Sequence, residues 1–174
     1  MRIYFLSLLM LLAGCTVRFP QLAYFQNEIS SNNLLDDHKW RLTYGAYQTH
    51  VYAIDVPSGI VFANESDDAL LYDGNDIKRV VKIGSSIGLT EISSHKTSSG
   101  MIEKVFTSLN TVLGVHRCEH WKQNAPLSFE QICHSDLGKE YKNSKRYSEN
   151  GELLQLEMGL NDFEKRLYLS RGIN

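Results

Sequence analysis

The sequence predicts a mainly β fold: an antiparallel meander forming a curved sheet, sandwich or half-barrel, with a short N-terminal helix. Three observations carry this expectation. From Lys39 onward, short apolar or alternating runs are separated by clusters of turn residues. Nine Tyr, seven Phe and two Trp against three Pro suit an ordered β-rich chain better than a disordered stalk. No run recurs at a fixed period, which argues against a propeller or solenoid, and no glycine-rich phosphate loop opens a helix, which disfavours nucleotide-binding folds.

The elements follow in order. Leu22, Phe25 and Ile29 have helical spacing after Pro20, a residue suited to a first helical turn, and Ser30-Ser31-Asn32-Asn33 ends the segment. Trp40 to Tyr44 alternates apolar and polar residues and meets Gly45. Thr49 to Val56 is rich in β-branched and aromatic residues, Pro57-Ser58-Gly59 is a turn, and Ile60 to Ala63 is the next run. Ala69 to Tyr72 and Ile77 to Ile83 flank Asp73-Gly74-Asn75-Asp76, a strong hairpin signal. Ser85 to Leu89 breaks the pattern, and Thr107 to Lys122 reads as one long strand bent at Gly114. Asn124-Ala125-Pro126 turns the chain, and Phe129 to His134 returns beside it. Tyr141 to Tyr147, Leu153 to Met158 and Phe163 to Leu169 complete the series. Short turns between successive strands imply antiparallel pairing.

The N-terminus carries a different signal. Met1-Arg2, an apolar run from Ile3 to Leu12 and then Ala13-Gly14-Cys15 place charge, apolar core and small residues in the order of a secretory signal. The run is shorter than the ~20 apolar residues that a membrane-spanning helix needs. Leu12-Ala13-Gly14-Cys15 resembles the lipobox of bacterial lipoproteins, in which the Cys sulfur takes a diacylglyceryl group and cleavage precedes that Cys. The resemblance implies lipidation at Cys15 and anchoring to the membrane through acyl chains. Thr16, where inner-membrane lipoproteins carry Asp, implies the outer membrane. The expected organisation is a signal peptide at 1–14, a lipidated tether and short helix at 15–37, and one β-rich domain at 38–174.

The remaining length suits a single domain with a proper core. Net charge is −2, and Arg2 is the only charge in the signal, so the mature chain is slightly more acidic. With no basic block, nucleic acid is not an expected partner. Once Cys15 is lipidated, Cys118 and Cys133 remain as an exported pair, a disulfide candidate in an oxidising compartment. Centring the turn near Ala125 and Pro126 sets them opposite each other.

Several short motifs resemble the capsule and exopolysaccharide lipoproteins of the GfcB/YmcC and YjbF type. Leu42-Thr43-Tyr44 matches an opening apolar-x-Tyr strand. Ala69 to Tyr72, a Gly/Asn turn, Ile77 to Val81 and Gly88-Leu89 resemble that family's long hairpin. Cys118-Glu119-His120-Trp121 resembles its Cys-x-x-Trp strand, and Ile132 to Gly138 followed by Ser144 resembles its next strand and turn. The likeness spans roughly residues 40–170. Cys133 and Ser135 depart from the family's Trp and Asp, and Ser144 lies one residue further from Gly138 than the family spacing. The resemblance implies a β-sheet lipoprotein encoded with polysaccharide-export genes, and it transfers no catalytic residue.

Chemistry-bearing clusters each have a bland counterpart. His116, Cys118 and His120 alternate along one strand, with Cys133 and His134 opposite, a set that resembles zinc ligands. A cross-hairpin disulfide flanked by two exposed His explains the same residues and is favoured, so no metal is expected. Asp67-Asp68 and Asp73 with Asp76 are paired carboxylates of the type a glycosidase uses, yet both pairs sit in turns, where Asp supports local backbone bonds. No Gly-x-Ser-x-Gly elbow exists. Tyr44, Tyr47, Tyr52 and Trp121 are candidates to stack on sugars or a partner protein, although strand packing also explains them.

The expected function is therefore non-enzymatic and needs no cofactor. It is that of an outer-membrane lipoprotein facing the periplasm that assists assembly or export of a surface polysaccharide by binding glycan or export proteins. One alternative is a lipid- or lipoprotein-carrying chaperone with an apolar cavity. Another is an envelope polysaccharide hydrolase, which requires convergent carboxylates or a nucleophile–base pair in a cleft.

Overall fold

The computed structural model of the protein describes residues 39–161 and 164–172. The expected helix over 21–29 and the lipobox with Cys15 lie outside the described residues. Within them the strands are β1 (Lys39–Tyr44), β2 (Tyr47–Val56), β3 (Gly59–Ala63), β4 (Ala69–Tyr72), β5 (Ile77–Lys82), β6 (Thr90–Lys96) and β7 (Ile102–Ser108). They continue with β8 (Thr111–Cys118), β9 (Lys122–Ala125), β10 (Ser128–Ser135), β11 (Glu140–Tyr147), β12 (Leu153–Gly159) and β13 (Arg166–Arg171).

All pairings between these strands are antiparallel, and the sheet is closed rather than half-open. β1 pairs with β13 on one side and β2 on the other. The ring is completed where β10 pairs with β11 over Ser128–His134 and with β8 through Cys133↔Cys118, His134↔Arg117 and Ser135↔His116. Twelve strands thus form a barrel, and β9 prolongs the line of β8 along β10. Closure leaves no long open edge for another chain to extend.

Residues 107–122 are not one strand bent at Gly114. The chain reverses at Leu109-Asn110, where φ is 46° and 67°, and Ser108 faces Thr111. A two-residue hairpin of this kind needs left-handed backbone, usually announced by Asn-Gly. Leu at the first position conceals it. The strand is interrupted again over 119–121 before β9. β6 was also silent in the sequence, because Ile92 is the one large apolar residue in Thr-Glu-Ile-Ser-Ser-His-Lys.

Alternation decides what fills the barrel. Trp40, Leu42 and Tyr44 of β1, Phe62 of β3, Leu70 and Tyr72 of β4, Leu156 of β12 and Leu167 and Leu169 of β13 point into one apolar core. Trp40 meets Phe62 edge to face, with ring centroids 4.9 Å apart. On the opposite wall the inward positions are polar: Lys104 of β7, His116 of β8, Gln131 of β10, and Asn143 and Lys145 of β11 are all buried. A smaller apolar cluster of Tyr52, Ile54, Val61, Ala63, Ala69 and Val81 lies on the alternate positions of β2 to β5.

Two glycines are required by close approach. Gly59 has φ +135°, and a Cβ there would lie 2.1 Å from the Tyr72 carbonyl oxygen. Gly159 accepts the Tyr141 ring, whose atoms come within 2.5 Å of where its Cβ would be.

Candidate functional site

The polar wall is organised around Lys104. Its ammonium donates to Asp76 Oδ1 at 2.7 Å and to Gln131 Oε1 at 2.9 Å. Asn143 Nδ2 also donates to Gln131 Oε1, at 3.1 Å, while Asn143 Oδ1 accepts the Gly159 N–H at 2.9 Å. Gln131 Nε2 donates to the Glu119 carbonyl at 2.8 Å, which ties the interruption between β8 and β9 to the interior. Burial pushes the Lys104 pKa down, and the Asp76 carboxylate opposes that shift. Desolvated charges persist only when paired and hydrogen-bonded, and this pair is both.

The barrel wall parts above this network. β5 and β6 pair only through Arg79↔Glu91 and Val80↔Thr90. Beyond them the strands splay, and a cleft of about 420 Å³ opens between Asn75, Asp76 and Lys78 on one side and Ser94, His95 and Lys96 on the other. His120, Trp121 and Gln131 form its back. Its size is within the ~300–1,000 Å³ of small-ligand sites. Two polar atoms of its lining, Ser94 Oγ and Trp121 Nε1, are buried without a hydrogen-bond partner. Such orphaned atoms are rare in native proteins and mark strain, water or a ligand.

Lys145 lies behind the cleft. Its ammonium sits 4.3 Å from the centre of the Trp121 ring, and its hydrogen bonds are to Asn75 Oδ1 at 3.3 Å and Asn75 O at 3.5 Å. Nearby, the Tyr72 and Tyr147 hydroxyls lie 3.0 Å apart, and Tyr72 donates to the Gly74 carbonyl at 2.8 Å. Burial, then the Tyr147 hydroxyl, pushes the Tyr72 pKa up, so this phenol is neutral.

The residues singled out from sequence are dispersed. Cys118 and Cys133 are joined, with Sγ–Sγ 2.03 Å, across the narrow β8–β10 seam. With both sulfurs engaged, no group of metal-ligating side chains occurs among the described residues. His116 is not an exposed flank of the disulfide: it is 1 % exposed and its Nδ1 lies 2.6 Å from the Tyr141 hydroxyl. His120 lies in the cleft. Of the four aromatic candidates, Trp121 is in the cleft, whereas Tyr44 is packed in the core at 2 % exposure. Tyr47 donates to Asp68 Oδ2 at 2.6 Å, and Tyr52 packs in the smaller apolar cluster. The fully buried Asp68 also accepts from Asn64 and from the Gly84 N–H, so it locks loops together. Asp73 is a turn residue, accepting the Asn75 and Asp76 N–H groups. Asp76, by contrast, points into the barrel.

Asp76 stood out only as half of a carboxylate pair assigned to a turn, and Ser94, Lys104, Gln131 and Lys145 were not legible as a site. The available signal was a Lys at an inward-facing position, as in Ile102-x-Lys104-x-Phe106, where strand alternation demands an apolar residue.

No family model matches the sequence, and a search of curated proteins found no match. Among solved structures, the chain is similar to the hypothetical lipoprotein YmcC from Escherichia coli K12. That likeness has a TM-score of 0.56 at 11 % sequence identity, over 87 % of this chain and 95 % of the other. The chain therefore shares the fold of YmcC, in agreement with the GfcB/YmcC-type resemblance carried by its short motifs.

Proposed function

We propose that the protein is a lipid-anchored envelope protein of the outer membrane, facing the periplasm, that binds a glycan strand in the cleft between β5 and β6. In this reading it assists assembly or export of a surface polysaccharide without catalysing a reaction. The observation that carries the reading is the cleft itself, where the Trp121 ring lines the wall and its N–H and the Ser94 hydroxyl are buried without partners. An aromatic ring with hydrogen-bonding neighbours suits a sugar, whose faces carry C–H groups and whose edges carry hydroxyls. The lipobox at Cys15 and the fold shared with a hypothetical lipoprotein support the anchored location.

The test is a deletion strain complemented with point variants and scored for surface polysaccharide. Deletion is expected to reduce surface glycan while precursor synthesis continues. Trp121→Ala should fail to restore it, and Tyr52→Ala, away from the cleft, should restore it. Normal surface glycan in the deletion strain sinks the proposal. In the same strain Cys15→Ser should leave an unprocessed or mislocalised precursor.

A further inference from the structure

We propose that the cleft between β5 and β6 selects an anionic glycan, one whose sugars carry an oxyanion such as a carboxylate or sulfate. This rests on the glycan reading above and specifies the charge of the ligand.

The argument starts from charge balance in the interior. In the polar wall and cleft two buried lysines, Lys104 and Lys145, stand against one buried carboxylate, Asp76, while the other buried carboxylate, Asp68, is held elsewhere by Tyr47, Asn64 and the Gly84 N–H. Lys104 takes that carboxylate at 2.7 Å. Lys145 makes no ion pair among the described residues, and has only the Asn75 oxygens and the Trp121 and Tyr147 rings. A buried ammonium without a counter-charge is costly unless an anion completes it.

The rim adds two lysines, Lys78 and Lys96. Lys78 pairs with Asp73 at 3.3 Å, and Lys96 makes no ion pair among the described residues. The other acids close by are engaged elsewhere, Glu103 with Arg117 at 3.4 Å and Glu119 with Lys122 at 2.6 Å. The two orphaned atoms agree with the charges. An indole N–H only donates, and the Ser94 hydroxyl is free to donate. The lining therefore offers donors in excess and, once Asp76 is taken, few acceptors. An oxyanion supplies what is missing, because charge-assisted hydrogen bonds are roughly twice as strong as neutral ones. A neutral sugar would bring no counter-charge to Lys96 at the rim or to the field of Lys145 behind the Trp121 ring.

The experiment is calorimetric titration of the mature chain, residues 15–174 with Cys15 replaced by Ser, at low and physiological salt. Its probes are dextran, dextran sulfate, oligogalacturonate and poly-glutamate. We expect dextran sulfate, oligogalacturonate or both to bind at least about tenfold more tightly than dextran, with affinity falling as salt rises. The two polymers distinguish sulfate from carboxylate as the source of the oxyanion. Lys96→Gln, at an exposed position that folding does not depend on, should weaken the anionic probes about threefold or more. Lys145→Gln should weaken them further, and Trp121→Phe should weaken any glycan that binds. Equal affinity for dextran and the anionic probes, unchanged in Lys96→Gln and Lys78→Gln, overturns the charge inference and leaves the glycan reading standing. Poly-glutamate binding as tightly as the anionic glycans overturns the sugar requirement. Binding of none of the four overturns both readings.

Discussion

Replacing Lys104 with Met tests the buried ion pair directly. The substitution keeps an unbranched side chain in the barrel but removes the ammonium 2.7 Å from Asp76 Oδ1. Both partners are nearly inaccessible, Lys104 at 1 % and Asp76 at 2 %, so water replaces the lost contact only poorly. A carboxylate left buried and unpaired costs about 3–5 kcal/mol. That is a large share of the ~5–15 kcal/mol by which a domain of this kind is stable. Asp76→Leu strands the ammonium instead and should cost a similar amount. The double variant Lys104→Met/Asp76→Leu removes both charges, and Gln131 Oε1 keeps the Asn143 donor at 3.1 Å. It should therefore lie within ~2 kcal/mol of the parent, far short of the sum of the single losses. Urea unfolding followed by tryptophan fluorescence measures all three. A Lys104→Met variant within ~0.5 kcal/mol of the parent, or a double variant that loses the sum of the singles, refutes the reasoning.

Three further outcomes are expected. Reducing Cys118–Cys133 should lower stability by about 3 kcal/mol, the chain-entropy value for a loop of this length, and should speed hydrogen exchange in β8 and β10, whose mutual pairing is short. An unchanged urea midpoint under reducing conditions would contradict this. Burial holds the His116 imidazole below its ordinary pKa. The folded state then binds this proton more weakly than the unfolded chain. The contribution is full above ~6.5 and is lost as pH falls from there through the lower folded value. His116→Gln should flatten that part of the stability profile, and identical pH slopes in the two proteins would exclude it. Gly59→Ala should cost about 3 kcal/mol or more, because its Cβ would meet the Tyr72 carbonyl oxygen at 2.1 Å with φ at +135°. Gly74→Ala, with open space around it, should cost about 1 kcal/mol. Thermal melts giving both variants the same loss would show that the contact is not what matters.

Much of the strand order was legible because alternation and turn chemistry are local. Leu42 and Tyr44 share a strand face through spacing alone, and Asp73-Gly74-Asn75-Asp76 announces its own hairpin. The Leu109-Asn110 reversal was not legible, since Leu109 does not advertise the positive φ it adopts and Thr111, not Gly, follows Asn110. β6 was hidden for a related reason. Its inward positions face a cleft and a polar wall, so they lack the apolar spacing that reveals a strand. The site was missed with it: Lys104 and Lys145 read as solvated charges until the barrel turns them inward.

The sequence by itself determined a mainly β, mostly antiparallel chain, the boundaries of most strands, and the register that sets Cys118 opposite Cys133. These follow from the two-residue period of a strand and from turns a few residues long. Only the tertiary structure decided that the sheet closes, that β5 and β6 part after two register pairs, and that Asp76, Lys104 and Gln131 meet beneath the gap. These residues come from three strands or loops separated by more than 25 positions. No local pattern encodes such a meeting, because it depends on the curvature of the whole barrel and on which wall each strand joins.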